Sequence, residues 1–550
     1  MRCDFATPPA AVRAARGGRL LAGQDTRPSA PARGEAVRDP AAAWGGAPAP
    51  GIIGIGYQRV GGLKQTTKQS DPAVGEIVGL GVTALSHRIA SGALSCREVM
   101  TAYLAQIDAV NPCVNAIVSR LPHEKLLAEA DARDRELARG THRGWLHGIP
   151  QAIKDLTPTA GIATTFGSPL FAEQIPAQDG LIVERMKAAG AIVIGKTNTP
   201  EFGLGSQTYN PVFGTTRNAY DHDLTAGGSS GGAAAALAMR MLPVADGSDM
   251  MGSLRNPAAF NNVFGFRPSF GRVPQAPAPD VFGQQLGTEG PMGRSVADVA
   301  RLLATQAGAD PRAPLSIAEA AAPFADEPDT EVAGLRIGWI GDWGGYLPME
   351  AGILDVCEQA LGRLETIGCI VEPTVPAFDP ARLWRCWNTL RQWAVAGKLA
   401  PLHDDPHTRD RLKPEACWEI ERGLALSALD IHRANVERSA WYQALRGAFE
   451  RFDVLAMPSA QVFAFDADTH WPAEIAGHAM DTYHRWMEVV IGASLAGVPA
   501  MNVPAGFDER GRAMGLQLIG PHRADLDVLR LAAAYERVAA DVVARTPVWQ

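Results

Sequence analysis

Thr225-Ala-Gly-Gly-Ser-Ser-Gly-Gly-Ala-Ala-Ala-Ala236 is the stretch on which the reading of this chain turns. Its first half is a Gly/Ser-rich turn and its second half an Ala-rich helix. A turn that opens into a helix leaves backbone N–H groups converging on one spot, a nest for an anion or a developing oxyanion. It is not a phosphate-binding loop, because no Gly-Lys-Ser/Thr follows the glycines, and it is not the GxGxxG of a dinucleotide unit. Alone, the run reads as a flexible turn, so any further meaning depends on what flanks it.

Outward from this stretch, helix and strand alternate. Ser95-Cys-Arg-Glu98 is a capping box, and Val99, Tyr103, Leu104, Ile107 and Val110 follow at helical spacing up to Asn111-Pro112, which is expected to end the helix. A second helix is expected over 127–138, a short strand ending in the charged pair Lys154-Asp155, a helix over 181–189 and a buried strand over 191–194. The alternation continues with strand 335–340, helix 353–367 and strand 369–372. This order implies an α/β fold with helices on both faces of one sheet.

Composition agrees with a globular protein. The chain has 550 residues, 46% apolar and 20% charged, with a net charge of −8. That balance argues against nucleic-acid binding. No run of 18 apolar residues occurs, so no membrane span is expected. Seven widely spaced cysteines with no CxxC point to reduced thiols in the cytoplasm and to no metal site; His123-Glu-Lys125 lacks the second histidine of a zinc motif. Residues 1–72 are rich in Ala, Pro, Gly and Arg without amphipathic periodicity, and are read as a disordered extension rather than a transit peptide. The folded domain is expected over 73–545. Its stretch from about 275 to 445 is more helical, and ten of the twelve tryptophans lie after residue 330. Trp384, Trp387 and Trp393 read either as core or as a helical cover carrying an apolar substrate wall.

The chemistry lies downstream of the signature stretch, in Asp246-Gly-Ser-Asp-Met-Met-Gly-Ser-Leu-Arg-Asn-Pro257. Ser253 follows Gly252 where bulk is scarce, so its hydroxyl can sit beside several backbone N–H groups, as an acyl-transfer nucleophile requires. No G-x-S-x-G elbow occurs here, and His222 has no recognisable pairing with Ser253. Lys154 ends an apolar strand, where burial favours the neutral amine. Bringing a lysine from about 10.4 to near 8 takes about 3 kcal/mol, within reach of burial and hydrogen bonding.

The order Lys154, Gly-Gly-Ser229-Ser-Gly-Gly, Gly-Ser253-x-Arg255 resembles the amidase signature family. So do Lys196-Thr-Asn-Thr-Pro-Glu-Phe202, Asn210–Asn218, Gly265-Phe-Arg-Pro-Ser269, Asp453–Pro458, Ala496–Ala500, Val503–Gly506 and Gly515–Gly520. The resemblance spans roughly residues 76–540. It implies one large domain around a twisted mixed sheet and an amidohydrolase without cofactor, acting on a small amide and free to form a homodimer. Ser253 would attack the carbonyl, Ser229 would relay the proton and Lys154 would accept it. The backbone N–H groups of Met250, Met251, Gly252 and Ser253 would form the oxyanion hole. Gly228, Ser230, Asp249 and Arg255 would support the site, and the Gly228–Ser229 peptide would be cis.

Ester, carbamate or urea hydrolysis on the same machinery, and the amidase subunit of a tRNA-dependent amidotransferase, are the alternatives. A non-catalytic binding protein is disfavoured by the presence of all three catalytic candidates. Met251 stands where the family carries a second glycine; it is expected at ordinary φ, the sharper alternative being that its side chain narrows the acyl pocket. Asp249 and Arg255 are expected to form a buried ion pair rather than to recognise a substrate carboxylate. Gln207, Asn210 and Arg217 read equally as site-lining or turn-pinning residues.

Overall fold

The computed structural model describes residues 72–548 apart from 284, 327, 329 and 330. The proposed N-terminal extension, except for its last residue, lies outside the described residues. The described residues belong to one compact unit. Besides two short two-stranded ribbons, its strands are β1 (Ile117–Val118), β2 (Pro150–Lys154), β3 (Ile192–Thr197), β4 (Val244–Asp249), β5 (Phe264–Arg267), β6 (Thr288–Gly293), β7 (Arg336–Trp339), β8 (Ile370–Pro373), β9 (Val454–Pro458), β10 (Ala500–Phe507) and β11 (Ala513–Ile519). Eight of them form a mixed sheet in the order β8-β7-β9-β11-β10-β5-β6-β4, parallel at the β8 end and antiparallel from β9 to β4.

The remaining three pair as β1-β3-β2. The expected large mixed sheet is present, with a smaller three-stranded sheet beside it. At their meeting point the Lys154 N–H of β2 donates to the Asp246 carboxylate of β4, at 3.2 and 3.3 Å. A side chain thus takes the hydrogen bond that a ladder carbonyl would otherwise accept.

β10 and β11 read as largely apolar runs because both faces are covered. Every residue of β11 is buried, as are the first six of β10. The Ala-rich segment is helix Gly231–Ala238, buried along its whole length, which is why it shows no polar face. The capping box at Ser95 and Glu98 starts helix Cys96–Val114 as expected. Pro112 does not end it. The helix runs on to a left-handed cap at Asn115, while the Asn111 side chain accepts the N–H groups of Ala116 and Ile117. Among the described residues, no helix is long and apolar enough to cross a membrane.

The segment leading into helix Arg255–Phe260 packs closely on the sheet at Gly265 of β5. A Cβ there would lie 2.2 Å from the Leu254 carbonyl oxygen and 2.8 Å from Ala258 Cβ. Gly265→Ala is expected to lower stability by about 1–3 kcal/mol, read as a shift of the urea midpoint. Gly362→Ala, in helix Ile353–Thr366 with nothing within 4 Å, should instead hold or raise it.

Candidate active site

Strand β2 delivers Lys154 to the edge of the large sheet with its side chain wholly buried. Its Nζ donates to the hydroxyl oxygens of Ser229 (2.8 Å), Ser230 (2.8 Å) and Ser248 (3.0 Å). The first two come from the Gly/Ser turn, where the Gly228–Ser229 peptide is cis. The third comes from β4, where alternation puts Ser248 on the same face as Asp246. Burial pushes the Lys154 amine down to about 7, an effect only partly offset by the carboxylates of Asp246, Asp249 and Glu289. Burial likewise pushes Asp246 up to about 6.

After Asp249 the chain makes a tight loop before helix Arg255–Phe260. The loop is built around one carboxylate. Asp249 accepts the N–H groups of Gly252 (2.9 Å) and Leu254 (3.2 Å), and two N–H groups of Arg255, each at 3.0 Å. Arg267 of β5 adds a third cationic contact at 3.3 Å. Burial alone would raise the Asp249 pKa; the two guanidiniums reverse this and hold it well below the usual carboxylate range. Arg255 also donates to Val490 O (3.1 Å), Gln517 Oε1 (2.7 Å) and Ser494 Oγ (3.0 Å). All five of its N–H groups therefore have acceptors, and none is left for a substrate carboxylate.

One expected oxyanion donor is corrected. The Gly252 N–H is committed to Asp249, because the loop reverses at this residue with φ +76. A Cβ there would meet Val490 Cγ2 at 2.9 Å, so glycine is required at 252. Met251 is not among the residues at positive φ, so the loss of the family's other glycine introduces no strain. Among the described residues, no acceptor takes the N–H groups of Met250, Met251 or Ser253. Ser253 is 6% exposed, and its carbonyl accepts the Ser230 N–H at 3.3 Å, joining the loop to the Gly/Ser turn.

Ser229, Ser248, Met250, Met251 and Ser253 all line one cavity of about 740 Å³. Phe166, Phe171, Phe202, Leu390 and Trp393 give the same cavity an apolar lining. Helix Pro380–Asp404 supplies the last two. Of the three clustered tryptophans, Trp384 and Trp387 are buried core and Trp393 faces the cavity. Gln207, Asn210 and Arg217 pin turns: Gln207 donates to Ala467 O and Thr469 O, Asn210 to Asn198 and Thr199, and Arg217 to His222 O.

Sequence reasoning passed over Ser248, Arg267 and Glu289. Ser248 could have been found from the period of its strand, which repeats Asp246 two residues on. Arg267 stood inside a family motif without a role, and nothing local marks Glu289.

A family model described as Amidase matches residues 98–529. The chain is similar to an acylamidase of Rhodococcus erythropolis, 34% identical over 84% of this chain and 95% of the relative. It is equally 34% identical to a glutamyl-tRNA(Gln) amidotransferase subunit of Thermus thermophilus, over 84% of this chain and 97% of that one. Among solved structures it is similar to a bacterial aryl acylamidase of the amidase signature enzymes, with a TM-score of 0.79 at 28% identity, covering 85% of this chain and 99% of the other.

Removing the charge of Asp249 strands two buried guanidiniums. Asp249→Asn is expected to cost about 3–5 kcal/mol, measured by chemical unfolding. A loss below about 1 kcal/mol would mean that the carboxylate does not hold the loop.

Proposed function

Because the chain belongs to the amidase signature family and is an amide-hydrolysing enzyme, we propose that it cleaves a carbon–nitrogen bond through an acyl-enzyme on Ser253. The observation that carries this is the 2.8 Å contact between Lys154 Nζ and Ser229 Oγ at a cavity that Ser253 also lines. In this mechanism the Ser253 hydroxyl passes its proton to Ser229 Oγ as the Ser229 proton moves to the neutral Lys154 amine, and Ser253 Oγ bonds to the carbonyl carbon. The N–H groups of Met250, Met251 and Ser253 are available to the oxyanion. When the tetrahedral species collapses, the carbon–nitrogen bond breaks and the proton returns through Ser229 to the leaving amine. Water then adds to the ester by the same relay and frees the acid.

The aromatic wall supports a substrate with an apolar or aryl group, in keeping with the similarity to acylamidase and aryl acylamidase. The similarity to the glutamyl-tRNA(Gln) amidotransferase protein supports a second reading, in which the product amine is ammonia from glutamine passed to partner subunits. Glutaminase activity that depends on co-purified subunits distinguishes it. The six described cysteines are free, which supports a reducing compartment, the cytoplasm.

Three outcomes test the mechanism. Only the unprotonated amine can accept the relay proton, and burial pushes Lys154 down to about 7. kcat/KM on an anilide should therefore fall as pH drops below about 7 and level off above it. Lys154→Ala should lose about 10²–10⁴-fold in kcat with cooperative unfolding retained; near-normal kcat at neutral pH would sink the base assignment. Ser253→Ala should abolish both turnover of anilides, aliphatic amides and carbamates and labelling by a serine-reactive phosphonate. Persistent labelling would move the nucleophile elsewhere.

A further inference from the structure

Glu289 lies on β6 directly opposite Ser248 of β4. Directly opposed residues of an antiparallel pair project to the same face, with Cβ atoms about 4.5–5.5 Å apart. The Glu289 carboxyl therefore stands on the face of the sheet that carries Ser248 and Lys154. It is 8% exposed and lines the cavity. Thr157, another cavity residue, donates to its Oε1 at 2.9 Å. Among the described residues, no donor reaches its second oxygen.

The charges around it do not balance. Lys154 and Lys196 are the buried amines beside Glu289 and Asp246, and Asp155 lies next to Lys196. Lys196 is engaged in donating to Thr157 O (2.6 Å) and Thr159 Oγ1 (2.8 Å). Asp155 is held by the N–H and hydroxyl of Thr165, and Asp246 by the Lys154 N–H. In the working enzyme Lys154 is neutral, a point that rests on the mechanism proposed above. One ammonium then faces three carboxyls, and the carboxyl open to the cavity is Glu289. An uncompensated buried carboxylate is costly, so such a site favours either a proton or a cation from outside. Burial pushes Glu289 up to about 7, as a carboxyl short of a cationic partner requires.

We propose that Glu289 is a specificity-determining residue that receives an ammonium group carried by the substrate near the scissile amide. The substrate then combines two features: an apolar or aryl part against Phe166, Phe171, Phe202, Leu390 and Trp393, and a primary amine that reaches the sheet edge beside Ser248. The ammonium supplies the cation that the buried cluster lacks, and its N–H groups occupy the free oxygen of Glu289.

The test has two arms, a binding measurement without turnover and a turnover comparison. In calorimetric titrations of the full chain, benzylammonium should bind wild type and weaken about tenfold or more in Glu289→Gln, the loss of one charge-assisted hydrogen bond. Benzyl alcohol should bind both proteins alike. Glu289→Gln keeps the side chain's shape and can still accept from Thr157, and thermal unfolding checks that it folds; Glu289→Asp, with the carboxylate drawn back, should fall between the two. In turnover, the anilides of glycine, β-alanine and 4-aminobutyrate are compared with those of the matching unsubstituted acids. Wild type should prefer the amino-bearing member at one chain length, chiefly through KM, and Glu289→Gln should lose that preference. An ammonium-to-alcohol ratio unchanged by Glu289→Gln overturns the proposal even if Ser253 is labelled normally. Intact ammonium binding in a protein whose Ser253 resists labelling overturns the mechanism instead.

Discussion

The side chain of Arg255 ties together the parts on which the site depends. Its planar guanidinium carries five N–H groups in a fixed fork. Each finds an acceptor: two on Asp249 at the end of β4, and one each on Val490, on Ser494 and on Gln517 of β11. A rigid fork with every prong engaged sets three separate segments in one geometry. Because Asp249 and Arg255 bracket the loop, clamping them together fixes both of its ends. Within the loop, the amides of residues 252 and 254 turn inward to the same carboxylate, leaving those of 251 and 253 for the cavity. The ion pair thus positions the chemistry without touching a substrate. Buried ion pairs contribute little net stability when set against an apolar replacement, so its value lies in this geometry.

A few residues away the fold treats charge in the opposite way. Asp249 is kept ionised by two guanidiniums at contact distance. Lys154 is just as deeply buried, yet its amine is surrounded by three hydroxyls and no contacting carboxylate. Hydroxyls both donate and accept, so they serve the amine in either protonation state. Compensated charge gives the loop a permanent shape, while the uncompensated amine is left free to gain and lose a proton. Both environments come from one strand, β4, which carries Ser248 and Asp249 on opposite faces.

Much of this is legible in the sequence because it is local. The capping box at Ser95, the strand ending at Lys154 and the small-residue loop at Ser253 are each specified by neighbours along the chain. Ser229 stands apart from Ser230 only through the family resemblance, and in the structure both hydroxyls contact Lys154 at the same distance. The misreadings have non-local causes. Pro112 reads as a stop, but the Asn111 side chain supplies the acceptor that lets the turn close. The Gly252 amide reads as free, but the backbone reversal at that glycine gives it to Asp249. Glu289 lies 36 positions after Ser253 in the chain and becomes part of the cavity only through the register of β6 against β4. No pattern within a strand reports which residue will stand across from it.

Helix Pro380–Asp404 touches the cavity with Leu390, Arg391, Trp393, Val395 and Leu399, whereas Lys154, Ser229 and Ser253 all precede it by more than a hundred residues. A share of the selection is therefore carried on a piece of chain separate from the reacting residues. Point changes among the cavity residues of this helix can reshape what enters while the proton relay stays intact. Such a division lets a single catalytic core be inherited unchanged through many changes of diet, and it makes this helix the natural stretch to randomise when a new substrate is wanted.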